Sequence, residues 1–95
     1  RMPASRTVAR HYVVHGRVQG VGFRYFVERC AAEVGLRGQV RNRADGAVEV
    51  YAVGPPEALS LLGRRLRAGP RYSLVEKVEE REAEVRVLRA FTIEF

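Results

Sequence analysis

The stretch His15-Gly16-Arg17-Val18-Gln19-Gly20-Val21-Gly22-Phe23-Arg24 constrains this chain more than any other. It follows an apolar run, Tyr12-Val13-Val14, with the character of a strand. It leads into Phe23, Phe26, Val27, Cys30, Ala31 and Val34, whose three- and four-residue spacing marks one face of a helix. A strand, a glycine-rich turn and a helix therefore follow in succession. The helix start lacks an ordinary cap, because no Ser, Thr, Asp or Asn stands between Gly16 and Phe23. A helix N-terminus leaves its first four N–H groups unpaired. Here a cation, Arg24, sits in the first turn, against the positive end of the helix dipole. Two readings follow. The turn is a tight connection with Gly22 as a weak cap, or it is a cradle whose missing partner is an anion. The Gly-Lys-Ser/Thr ending of a nucleotide loop and the Gly-x-Gly-x-x-Gly spacing of a dinucleotide loop are both absent. The second reading thus concerns a small anion rather than a nucleoside triphosphate.

The remaining pattern places this unit in one domain. Val8–His15 reads as a first strand and about Val21 to Val34 as the first helix, stopped by Gly35. Gly38–Asn42 and Ala47–Val53 read as two strands joined across Asp45-Gly46, a hairpin signal. Gly54-Pro55-Pro56-Glu57 opens a second helix with Leu59, Leu62 and Leu66 inside, and Gly69-Pro70 ends it. A charged strand falls somewhere between Leu74 and Val87. Phe91-Thr92-Ile93-Glu94-Phe95 closes with Phe91, Ile93 and Phe95 on one face. The order β-α-β-β-α-β, with a short extra strand, predicts a ferredoxin-like α+β sandwich: an antiparallel sheet with two helices on one face. Residues 1–7 read as a loose tail on a single domain spanning 1–95. A chain of 95 residues, 46% of them hydrophobic, supports one modest core.

Charge narrows the partners without choosing among them. Residues 1–44 hold nine arginines against Glu28 and Glu33, a balance of +7, while residues 45–95 come to −1. The positive field belongs to the half with the glycine loop, where it would steer small anions or nucleic acid. Among the eight aromatic residues, no pair on a middle strand forms the stacking platform of an RNA-recognition sheet, so no specific nucleic acid is expected. No apolar run approaches a membrane span, no signal-peptide pattern opens the chain, and one cysteine forms no internal disulfide. A cytoplasmic protein without a membrane partner is the expectation.

Few side chains suit acid–base, thiol or metal chemistry. His11 and His15 share a face on a regular strand, but no third metal ligand is in sequence reach, so no metal and no cofactor are expected. Cys30 lies in the apolar stripe of the first helix and reads as a core residue rather than a nucleophile. What is left is the loop with Arg24, and Asn42 at the end of the second strand. Asn is also a common turn residue, so Asn42 alone admits a purely structural reading.

Together, these residues resemble a known family. Val14–Arg24 is similar to the first signature of the acylphosphatases. Gly38-Gln39-Val40-Arg41-Asn42, followed by Gly46, Val48 and Gly54, is similar to the second at matching spacing. Gln39 departs from the pattern, standing where the family usually has an aromatic residue. The resemblance implies hydrolysis of a small acyl phosphate to a carboxylate and inorganic phosphate by direct attack of water, with no metal and no phosphoenzyme. It implies that Arg24 and Asn42 are catalytic, the arginine holding phosphate and the asparagine positioning the water. It also implies that Gln19, Gly20, Val21, Gly22 and Phe23 supply backbone N–H groups, with Gly16 shaping the entry. Inorganic phosphate or sulfate would then compete with substrate. Two rival readings carry the same fold without this chemistry: a module that binds phosphate or carbamoyl phosphate without turnover, and a nucleic-acid-binding domain.

Overall fold

A computed structural model describes residues 6–95; most of the expected tail, residues 1–5, lies outside the described residues. The elements in chain order are β1 (Val8–Arg17), α1 (Phe23–Glu33), β2 (Arg37–Asn42), β3 (Val48–Gly54), α2 (Pro56–Ala68), β4 (Leu74–Ala83) and β5 (Phe91–Glu94). The five strands form one sheet in the order β4-β1-β3-β2-β5. Both helices cover the same face, where one continuous core joins Tyr12, Val14, Val40, Val48 and Val50 of the sheet to Phe23, Val27, Cys30, Leu59, Leu62 and Leu66 of the helices. Each fully buried aliphatic side chain here contributes about 1.5–3 kcal/mol. Tyr12 enters this core because its hydroxyl donates to the Leu59 carbonyl at 2.8 Å.

The ferredoxin-like arrangement is present, with one correction: the sheet is mixed rather than antiparallel. The β1–β3, β1–β4 and β2–β3 pairs are antiparallel, but β5 runs parallel to β2, with Gly38 opposite Phe91 and Arg41 opposite Glu94. The reason lies in residues 84–90. β4 ends at Ala83 beside Ala9, at the start of β1, and the chain then crosses the sheet to the start of β2. A strand entering at that end has no direction left but that of β2. The crossing runs over the face without helices, where Leu88 and Ala83 pack on Ala9, Tyr51 and Val53. Tyr51 fastens it: its hydroxyl donates to the Glu84 carbonyl at 2.6 Å and accepts from the Arg86 N–H at 2.8 Å.

Two element ends differ from the sequence reading for local reasons. Helix α1 begins at Phe23 rather than Val21, because Gly20 and Gly22 hold left-handed φ values of 76° and 75°. Strand β1 continues to Arg17 through a bulge at His15/Gly16, where it stays paired with β4. Phe91 is buried and Ile93 packs on the core, as expected, but Phe95 is 86% exposed.

Candidate active site

The sheet brings the two sequence signatures to one end of the molecule. β1 and β2 point the same way with β3 between them, so their C-terminal ends share an edge. Val14, Val48 and Asn42 form one cross-strand row. At 4.7–4.9 Å between neighbouring strands, Asn42 lies roughly 10 Å from the β1 position that feeds the glycine loop. Residues in one row project to one face, so Asn42 points toward the helices, as Val14 and Val48 do. It is half-buried, and its carboxamide bonds to no other described residue.

Helix α1 carries Arg24 to the same place from above. The Arg24 Nη1 donates to the Glu94 carbonyl at 3.0 Å, and Glu94 pairs with Arg41, the neighbour of Asn42. The guanidinium also lies 4.7 Å from the centre of the Phe95 ring, which in turn meets the Tyr25 ring at 6.2 Å. One of five N–H donors is thus committed to a carbonyl, and the rest of the fork remains for an anion. No carboxylate neutralises Arg24 among the described residues.

Between Arg24 and Asn42 runs the loop of residues 18–22. Gly20 and Gly22 are both left-handed, a conformation found in the backbone nests that bind anions. Gly22 caps α1 without any side-chain bond, and the first turn holds no acid. Among the described residues, no acceptor receives the N–H groups of residues 19–25; the first bond of the helix is Phe26 N–H to the Gly22 carbonyl. The loop is moored by a side chain instead. Gln19 Nε2 donates to the carbonyls of Arg43 at 2.8 Å and Ala47 at 2.9 Å, in the turn that follows Asn42.

The family model for acylphosphatase matches residues 10–93. The chain belongs to the acylphosphatase family. Its relatives include the acylphosphatase of Koribacter versatilis, 55% identical over 86 residues, covering 90% of this chain and 78% of that one. The acylphosphatase of Solibacter usitatus is 52% identical over 89 residues, covering 94% and 93%. Among solved structures, the acylphosphatase from Bacillus subtilis superposes with a TM-score of 0.90 at 38% identity, covering 93% of this chain and 99% of that one. As an acylphosphatase, the protein is a hydrolase of acyl phosphates. The rival readings, a non-catalytic anion-binding module or a nucleic-acid-binding domain, find no such support.

Local contacts account for the other residues weighed from the sequence. Gly16 lies in the bulge of β1, where a Cβ would stand 2.1 Å from the Leu74 carbonyl oxygen; its glycine answers to β4. Cys30 is buried, and burial pushes its thiol up from the ordinary value against the opposing pull of Arg65, so it is no ready thiolate. His11 and His15 do share the open face of the sheet, but each has its own carboxylate: Glu49 at 2.7 Å for His11 and Glu79 at 2.8 Å for His15. Gln39 lies opposite Tyr51 and Thr92, one residue out of phase with the Asn42 row in each neighbouring strand, so the departure from the family pattern stays off the helix face. No helix among the described residues is long and apolar enough to cross a membrane.

Two features escaped the sequence reading. The Gln19 side chain binds a turn more than twenty residues away, which no local pattern encodes. The Arg24 contacts with Glu94 and Phe95 depend on β5 reaching the far edge of the sheet. The alternation in Phe91–Phe95 marked a strand but not the strand beside it.

Proposed function

We propose that the backbone N–H groups of Gln19, Gly20, Val21, Gly22 and Phe23, together with the Arg24 guanidinium, hold the phosphoryl oxygens of an acyl phosphate while the Asn42 carboxamide orients the attacking water. One observation carries this reading: at one end of the sheet lie a run of N–H groups, an arginine and an asparagine carboxamide for which the described residues offer no acceptor, no carboxylate and no hydrogen-bond partner respectively. Gly16 contributes by letting β4 pack close to the base of the loop, which sets where the loop leaves the sheet.

The chemistry needs little more. As the water oxygen bonds to phosphorus, the bond from phosphorus to the acyl oxygen breaks. That oxygen leaves with the electron pair as a carboxylate, and the proton lost by water passes to phosphate or solvent. Carboxylic acids have pKa values near 4, so the leaving group departs as an anion at neutral pH without a general acid. Phosphoryl transfer then depends on positioning and charge stabilisation, which amides and a guanidinium supply. An alkyl phosphate monoester leaves as a far more basic alkoxide and is a poor substrate for such a site. Inorganic phosphate and sulfate compete by filling the same donors. No metal ligand enters this scheme. The reading places the protein in the cytoplasm, supported by a lone, core-buried cysteine, and assigns it no specific nucleic acid.

Arg24 and Asn42 have separable roles. The arginine fork binds phosphate in ground and transition states alike, so Arg24→Ala loses phosphate inhibition and turnover together, and Arg24→Lys restores little. Asn42 acts mainly on the water. Asn42→Ala therefore lowers kcat by roughly 10²–10³, about 3–4 kcal/mol, while the phosphate inhibition constant stays within about threefold. Turnover numbers and inhibition constants on folded variants test this. Normal turnover by Asn42→Ala would make Asn42 a turn residue and end the proposal.

A further inference from the structure

We infer that the side chain of Gln19 is a positioning residue: its carboxamide latches the anion loop to the turn after Asn42 and so sets the distance between held phosphate and oriented water. The inference rests on the site reading above. It goes beyond the backbone N–H role assigned to Gln19, because it concerns the other end of the residue.

Three observations support the latch. Both partners of Gln19 Nε2 are backbone carbonyls, which only accept, so the orientation of the amide is settled by its partners. The turn it grips is already stiff. Arg43 N–H bonds the Ala47 carbonyl at 2.8 Å, Gly46 N–H bonds the Arg43 carbonyl at 3.2 Å, and Ala47 N–H bonds Asp45 Oδ1 at 3.1 Å. In the loop, by contrast, no backbone N–H of residues 19–25 finds an acceptor among the described residues. A soft segment is thus tied to a rigid one at a single residue, next to Asn42. In-line attack tolerates little misplacement, since a shift near 1 Å in a reacting pair costs up to about 10²-fold.

The test compares wild type, Gln19→Met, Asn42→Ala and the double variant on acetyl phosphate, with inorganic phosphate as inhibitor. Methionine keeps the length and flexibility of glutamine and removes both donors. The expected result is a kcat for Gln19→Met lowered roughly tenfold, a phosphate inhibition constant within about threefold of wild type, and a further loss under about threefold when Gln19→Met is added to Asn42→Ala. A residue that served only the fold would leave kcat unchanged in the folded variant. Unchanged kcat therefore overturns the latch, and so does an equal loss of kcat and phosphate binding, which would place the effect on the anion loop alone. Full additivity in the double variant also overturns it. If Gln19→Met fails to fold, Gln19→Asn is used; it keeps the donors but is one methylene too short, and the same outcomes decide. If Asn42→Ala turns over normally, it is the site reading that has failed. If Asn42→Ala is inactive while Gln19→Met is normal, only the latch has.

Discussion

Gly16→Ala is expected to destabilise the protein far more than Gly22→Ala, although both glycines belong to the same signature. Gly16 has φ of +129°, and a Cβ there would lie 2.1 Å from the Leu74 carbonyl oxygen and 2.9 Å from the Glu76 nitrogen, both backbone atoms. Neither can rotate away, so the edge strand β4 must move. A residue forced into a glycine-only region costs about 1–3 kcal/mol. Loosening β4 at the bulge costs one or two ladder hydrogen bonds, each about 0.5–1.5 kcal/mol. The total is about 1.5–6 kcal/mol, or ~6–48 °C in Tm for a domain of this size. Gly22 has φ of +75° and nothing within 4 Å of an added Cβ. There only the left-handed penalty of about 1–2 kcal/mol applies, partly offset by the stiffer unfolded chain. Thermal and urea unfolding of the two variants measure the difference. A Tm loss for Gly16→Ala no greater than that for Gly22→Ala would refute the assignment of Gly16 to the sheet.

Phosphate should stabilise the protein through the loop: at ten times its dissociation constant it adds about 1.4 kcal/mol, or ~6–11 °C in Tm. Melting curves in phosphate against chloride at matched ionic strength show this, and no phosphate-specific shift would count against the loop. Burial, reinforced by Glu80, pushes the Tyr12 phenol up to about 12. The stability it contributes is whole below pH 10, the unfolded value, and is lost as pH rises from about 10 through 12, by roughly 3 kcal/mol. Urea unfolding across that range should show a shallower alkaline loss in Tyr12→Phe, and an unchanged slope would contradict the burial argument.

How far the sequence could be read depended on the range of the interaction. Strand β1, the loop and α1 were legible because glycine and the 3.6-residue spacing act within a few positions, and the Asp45-Gly46 hairpin set β2 beside β3. By its own pattern Asn42 was legible as an end-of-strand residue, and its role with water came only from the family resemblance. The partnership with Arg24 proposed for it needs β1 and β2 to run the same way, as they do on either side of β3. The parallel β5 was not legible, since no residue in Phe91–Phe95 states which edge it joins; Tyr51 decides that by fastening residues 84–86 across the open face. The hold of the Gln19 side chain on the turn was not legible for a similar reason. Its partners are backbone carbonyls, which carry no side-chain signature.

The charge asymmetry acquires a meaning once the strands are paired. Several cations of the basic half are neutralised by carboxylates brought alongside: Arg10 meets Glu80, Arg41 meets Glu49, and Arg43 meets Asp45. At the loop end, Arg17 and Arg24 have no such partner among the described residues. Arg17 is exposed at the last position of β1, next to the loop, and is well placed to attract an anion without touching it. A unit charge roughly 10 Å from a dianion in water contributes about 0.8 kcal/mol, close to fourfold in affinity, at low salt. At 0.1 M salt the Debye length is about 10 Å, which reduces this to about 0.3 kcal/mol, under twofold. Arg17→Gln should therefore weaken phosphate inhibition about fourfold at low ionic strength and less than twofold near 0.1 M, with kcat unchanged. Inhibition constants measured across a chloride series decide the matter. An effect of Arg17→Gln that persists undiminished at high salt would mean direct contact with the anion, and no effect at low salt would mean that the surplus charge of this half acts elsewhere.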